Sequence, residues 1–267
     1  MTDPIQRPQL RNTATHRGAI GHSAAFVRVL HQAARLAQLD VPVLITSDGR
    51  SGCGKSTLAR LIHENSERRA GPFVEFNCAA IPPALLDREL FGFRDWLDEK
   101  SPNNGRVAAA AGGTLVLDEF PEIPWLLQQG MFRLVKSQRY APAGETRTHR
   151  ADVRVIAATC RDVTPAVEHQ ELCGDLVSVF GTAHIRMPWL EQRREDIPDL
   201  AEHFCALSCE RQKVPPIRLS REAVHALEAY EWIGEIRQLE HTVDAAVIRA
   251  IGDRAAEVEV KHLLLAM

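Results

Sequence analysis

The sequence predicts an α/β body, a parallel sheet with helices on both faces, followed by a smaller all-helical subdomain. Three observations carry this. Short β-branched runs alternate with longer helical patterns, as in βαβ units whose strands are buried on both faces. The alternation stops after Pro188, beyond which the pattern is almost wholly helical. A glycine-rich turn, Gly49 to Ser56, separates the first strand from the helix after it.

Taken in order, residues 1–19 read as a flexible arm, polar and carrying Asp3, Arg7, Arg11, His16 and Arg17. From Ser23, an N-cap residue, Phe26, Val29, Leu30, Ala33, Ala34 and Ala37 recur at helical spacing. Val41 to Thr46 is a β-branched strand, and Gly54 to about Arg68 the next helix. Phe73 to Asn77 is a strand, Pro83 to Leu90 a helix, and Thr114 to Asp118 a strand buried by composition. A helix with proline at its start spans Pro121 to Val135, and Val153 to Ala158 is a further strand. Helices are expected at 196–212, 220–230 and 234–250, with a short last element. Pro215 and Pro216 separate the first two.

Composition bounds the function. The chain has 267 residues, 25 % charged and 45 % hydrophobic, with 32 Lys and Arg against 35 Asp and Glu. A net charge of −3 argues against a protein that holds nucleic acid electrostatically. Without an apolar signal core in the first 19 residues or an apolar run of about 18 residues anywhere, no membrane association and a cytoplasmic location are expected. The six cysteines are scattered. Cys205 and Cys209, near His203, have zinc-ligand chemistry, but their helical spacing reads first as the core of a reduced protein.

Gly49-Arg-Ser-Gly-Cys-Gly-Lys55-Ser56 fits GxxxxGK[ST] in the required context, after a strand and opening a helix. Glycines let backbone N–H groups approach phosphates, and the helix N-terminus adds partial positive charge. The expected phosphate-binding residues are Gly49, Ser51, Gly52, Cys53, Gly54, Lys55, Ser56 and Thr57. Lys55 would neutralise β- and γ-phosphate charge, and the Ser56 hydroxyl would ligate Mg²⁺. Asp118 and Glu119 end a buried strand at the sheet edge where ligands bind. Asp118 would hold the Mg²⁺ shell and Glu119 would activate water as general base. The cofactors expected are therefore ATP and Mg²⁺.

From about Ile20 onward the chain resembles the AAA+ module of bacterial sigma-54-dependent transcription activators. The landmarks are Gly71-Pro-Phe-Val-Glu-Phe-Asn-Cys-Ala-Ala80, Glu89-Leu-Phe-Gly92, Gly112-Gly-Thr-Leu-Val-Leu-Asp-Glu119, Asp152-Val-Arg-Val-Ile-Ala-Ala-Thr159, Arg193-Arg-Glu-Asp-Ile-Pro198 and Trp232-Ile-Gly-Glu-Ile-Arg-Gln-Leu-Glu240. The resemblance implies a P-loop AAA+ core over 20–190 and a helical lid over 191–267. It also implies that Arg237 is the lid arginine that touches nucleotide phosphates, and that Asn77 positions Glu119.

The departures from the family pattern matter as much. The family carries a GAFTGA loop shortly after ELFG, whereas Phe93 to Asn104 contains no Gly, Ala or Thr. Direct activation of sigma-54 polymerase is therefore not expected. Cys173 and Val179 stand where the family has arginine fingers, and no motif places Arg161, Arg186, Arg193 or Arg194 there as substitutes. Cys160 replaces the asparagine after Ala-Ala-Thr, Ser56 replaces the usual glutamate after the P-loop lysine, and Ser47-Asp48 read as a short insertion. Lid-like sequence runs to Met267 without a helix-turn-helix, so direct DNA binding is not expected either.

The resemblance thus implies an ATP-binding AAA+ regulatory protein whose hydrolysis is impaired or partner-dependent. It would bind ATP or ADP and work in a homo- or hetero-oligomer with an AAA+ or transcription-regulator partner. The alternative is an active AAA+ ATPase that remodels a target other than sigma-54, through Phe93, Trp96 and Leu97. A small-molecule kinase would rest on the P-loop alone and leave the lid and Arg237 unexplained.

Overall fold

The computed structural model describes residues 19–93 and 104–265. They fall into two compact units. The first takes in Leu30–Gly49 and Lys55–Arg186; the second takes in the described residues up to Val29, Arg50–Gly54 and the chain from Met187 onward.

The first unit is built on five parallel strands: β1 (Val43–Thr46), β2 (Phe73–Asn77), β3 (Thr114–Asp118), β6 (Arg154–Thr159) and β7 (His184–Arg186), in the order β2-β3-β6-β1-β7. The three inner strands are buried almost throughout, which explains their continuous aliphatic runs. The outer strands β2 and β7 are partly exposed. Two further short strands, β4 (Arg139–Tyr140) and β5 (His149–Arg150), pair as an antiparallel hairpin. The register aligns Asn77 with Asp118 and Thr46 with Thr159, bringing the C-terminal ends of four strands to one edge.

Helix α1 (Ala24–Ala37) begins at Ser23, whose Oγ accepts from the Phe26 N–H at 3.3 Å. Helix α2 (Lys55–Glu64) stops short of the expected Arg68. Asn65 and Ser66 donate back to the carbonyls of Leu61 and His63 at 2.9 and 2.7 Å, closing the helix end. Helices α3 (Pro83–Phe91) and α4 (Gly105–Ala109) follow. Pro121 lies in a 3₁₀ turn, Phe120–Glu122, and α5 (Trp125–Ser137) begins only after Pro124. Pro124 holds Ile123 extended, so one helix cannot run through both prolines. Helices α6 (Val163–Glu168) and α7 (Gly174–Phe180) complete this unit. Its core gathers Leu86, Leu115, Leu117, Phe120, Leu134 and Phe180.

The second unit is helical: α8 (Ile197–Gln212), α9 (Arg221–Ala229), α10 (Glu235–Gly252) and α11 (Val260–Leu263). Beyond the sequence expectation, it holds a two-residue parallel ladder between β8 (Arg218–Leu219) and β9 (Glu257–Val258). Leu200, Phe204, Leu227, Trp232, Leu239 and Val243 form its core. Cys205 and Cys209 are part of that core. The Cys205 thiol donates to Ile217 O at 3.1 Å and Cys209 Sγ accepts from Ile217 N–H at 3.4 Å, while burial pushes the Cys205 thiol up to about 12. Asp196 accepts from the N–H groups of His22 and Ser23, from Ser23 Oγ and from Arg193 Nε, all at 2.6–2.7 Å. No helix among the described residues is long and apolar enough to cross a membrane.

Candidate functional site

β1 delivers the chain into the glycine-rich turn. Gly49, Gly52 and Gly54 have φ of +89°, +88° and +93°, a left-handed conformation that favours glycine and lets a short loop turn its N–H groups toward an anion. Gly49 N–H donates to Cys160 O, tying the turn to the end of β6. Lys55 opens α2 and is only 6 % exposed, with its Nζ donating to Ser47 Oγ at 3.1 Å. Among the described residues it makes no ion pair. A buried ammonium with only a hydroxyl partner is a site that an anion completes. Ser51 and Ser56 are exposed, Thr57 is half-buried and Cys53 is buried with its thiol on Arg50 O at 3.4 Å.

Asp118 ends β3 half-buried, and Glu119 follows in a left-handed turn at φ 49°. Glu119 Oε2 accepts from Thr159 Oγ1 at 3.1 Å and Cys160 N–H at 3.3 Å. The partner of Glu119 is thus the end of β6. Asn77 Oδ1 accepts from Ala79 N–H at 2.9 Å, and no hydrogen bond among the described residues joins it to Glu119. Thr159 is the residue that sequence reasoning missed, since only the strand order puts β6 beside β3. Burial, with Glu119 alongside, raises the Cys160 thiol pKa; burial beside Asp118 and Glu119 pushes Cys78 up to about 12. Both thiols are therefore neutral here. Oxygen donors from Ser56 and Asp118 suit a hard cation such as Mg²⁺.

Within the second unit, Arg50 meets the start of α10. Its Nη1 lies 3.2 Å from Glu235 Oε1, and its guanidinium sits 4.4 Å from the Trp189 ring centroid. Glu235 is fully buried at φ 57° and also accepts from Leu190 N–H. A Cβ on Gly52 would stand 2.9 Å from Gly234 O and 3.1 Å from Arg237 Cβ, so Arg237 lies directly against the turn. Arg237 is exposed, with no hydrogen bond or ion pair among the described residues.

Cys173 and Val179, where the resemblance implies arginine fingers in the family, are apolar and packed. Cys173 is buried ahead of α7, and Val179 lies against the core of the first unit. Of the four arginines considered as substitutes, Arg193 is 2 % exposed and bound to Asp196. Arg161 is held by Glu122 and Glu171 at 2.9 Å each, Arg186 by Asp48 at 3.2 Å, and Arg194 by Glu228 O at 2.8 Å. Trp96 and Leu97 lie outside the described residues. Phe93 is described, bridged to Ala143 and stacked under Arg88 at 3.8 Å.

The chain is similar to known proteins in sequence and in fold. Residues 19–186 match the family described as the sigma-54 interaction domain, and residues 191–267 the AAA+ ATPase lid domain. The transcriptional regulatory protein ZraR of Salmonella typhimurium is 38 % identical over 249 residues, covering 92 % of this chain and 56 % of that protein. The DNA-binding transcriptional regulator NtrC of Rhizobium meliloti is 35 % identical over 247 residues, covering 91 % and 50 %. Solved structures of NtrX from Brucella abortus with ADP and with ATP both superpose at a TM-score of 0.84 and 31 % identity, each covering 91 % of this chain and 54 % and 53 % of theirs. The chain spans about half the length of the curated relatives it matches.

Proposed function

The chain belongs to the family of sigma-54 interaction domains, with an AAA+ ATPase lid after it, and from that membership we propose that it is an ATP-binding regulatory module whose hydrolysis is impaired or depends on a partner. One contrast carries this reading. The groups a subunit supplies to its own nucleotide are present, Lys55 buried at the turn and Glu119 held by Thr159, while the finger positions Cys173 and Val179 are apolar and packed.

Mg·ATP bound at the turn supplies the terminal phosphoryl group and the divalent charge that offsets it. Lys55 would donate to phosphate oxygens, the N–H groups of the turn would cradle them, and Ser56 and Asp118 would hold the metal. The family resemblance implies that Arg237 would offer a further cation to the phosphates. Glu119 accepts a proton from the attacking water, oriented by Thr159 Oγ1 and the Cys160 N–H. An arginine finger contributes about 10³–10⁵ in rate in related phosphoryl transfers, so an assembly of this chain alone turns ATP over slowly. The partner is another AAA+ chain or a transcription regulator. DNA and sigma-54 itself are not proposed, given the near-neutral charge and the composition of residues 93–104.

The intact Glu119–Thr159 contact also favours a second reading, an active ATPase directed at a target other than sigma-54. Calorimetric titration with Mg·ATP tests the step common to both. Saturable binding that Lys55→Ala abolishes is expected; absence of binding by the unaltered protein overturns both.

A further inference from the structure

At the edge of the sheet opposite the glycine-rich turn, where the strands begin, a cavity of about 430 Å³ lies in the first unit among Asp40, Arg68, Gln138, Arg150, Asp152 and Arg154. Arg154 opens β6 and is 3 % exposed. Its Nε donates to Val41 O at 3.1 Å and its Nη2 to Leu36 O at 2.8 Å. Its Nη1 is buried with no hydrogen-bond partner among the described residues. The aspartates in the wall are engaged elsewhere. Asp40 grips Arg68 with both oxygens at 2.8 Å, and Asp152 binds Arg68 at 2.8 Å. Burial lowers the Arg154 pKa to about 10, so the group is still charged at neutral pH. Asp40 acts on Arg154 through space but hydrogen-bonds Arg68, so two backbone carbonyls are the side-chain acceptors Arg154 has among the described residues, and an unsatisfied N–H departs from the rule that buried polar groups are hydrogen-bonded. Arg150, exposed on β5, makes no ion pair among the described residues and adds a second cation to the cavity.

We propose that this cavity is a second anion site, separate from the glycine-rich turn, that takes a small oxyanion on Arg154 with help from Arg150. The ligand is an inorganic sulfate or phosphate, or the carboxylate of a small acid; both match the planar guanidinium fork. The volume is in the range that small ligands occupy, about 300–1,000 Å³.

The test uses Lys55→Ala, which disables anion binding at the turn, and titrates it with sulfate and separately with succinate. Calorimetry is paired with ¹⁵N NMR of arginine side chains. Saturable binding of at least one probe is expected, with movement of the Arg154 guanidinium resonance, identified by its loss in Arg154→Lys. Arg150→Ala, at an exposed position, is expected to weaken binding about tenfold. Response to sulfate alone assigns the site to inorganic oxyanions, and response to succinate assigns it to carboxylates. If neither probe saturates, if the Arg154 resonance stays still, or if Arg150→Ala binds equally well, the proposal is wrong.

Discussion

Replacing Arg50 by alanine strands a carboxylate that the fold has buried completely. Glu235 would keep the Leu190 N–H but lose the guanidinium now 3.2 Å away. Breaking a fully buried ion pair from one side costs about 3–5 kcal/mol. The Arg50 side chain is 23 % exposed, so water reaches part of the gap, and about 2–3 kcal/mol is the expected loss. Part of that loss, about 0.5–1 kcal/mol, comes from the Trp189 contact rather than from Glu235. A double-mutant cycle separates the two. Arg50→Ala, Glu235→Gln and the double variant, compared by urea unfolding, are expected to couple by at least about 1 kcal/mol, because Glu235→Gln removes the stranded charge. Additive losses, or an Arg50→Ala loss below about 0.5 kcal/mol, would refute the reasoning that this pair fixes the turn against the start of α10.

Glu119→Gln is expected to lower any phosphate release by about 10²–10⁴ while leaving Mg·ATP binding measurable by calorimetry. Gly52→Ala puts a side chain at φ +88° and within 2.9 Å of Gly234 O, so a loss above about 1 kcal/mol is expected, with weakened ATP binding; an unchanged melting temperature contradicts this. Burial pushes the Asp196 carboxyl up, but Ser23 Oγ, the N–H groups of Ser23 and His22, and Arg193 outweigh it, so its pKa is lowered. Its folded pKa then lies below its unfolded one. The stabilisation is complete above the unfolded value, about 3.9, and is lost as pH falls through the folded value; urea midpoints measured between pH 7 and 3 should fall less steeply in Asp196→Asn.

The inner strands were legible because burial on both faces leaves an unbroken aliphatic run, as in β3 and β6. β7 was not, since only Ile185 of its three residues is buried and His184 and Arg186 mask the pattern. The start of α5 was misread because two prolines three residues apart each look like a helix entrance, and only Ile123 held extended decides between them. The glycine-rich turn between β1 and α2 was legible from its spacing and its place after a strand and before a helix. The Thr159 contact to Glu119 was not: it depends on strand order and on a left-handed Glu119. The Arg50–Glu235 pair was equally hidden, for it needs Glu235 in a left-handed turn that nothing in the local sequence demands. No role was assigned to Arg154 from sequence, and its Nη1 left without a hydrogen-bond partner among the described residues emerges only from packing.

Steady-state phosphate release by the protein alone, at saturating Mg·ATP and across rising protein concentration, bears most directly on whether this chain binds ATP without completing its own site. Turnover that stays low at every concentration, with nucleotide occupancy verified in the same samples, is expected. A steep rise with concentration, abolished by Glu119→Gln, would mean that copies of this chain complete one another, and would contradict it.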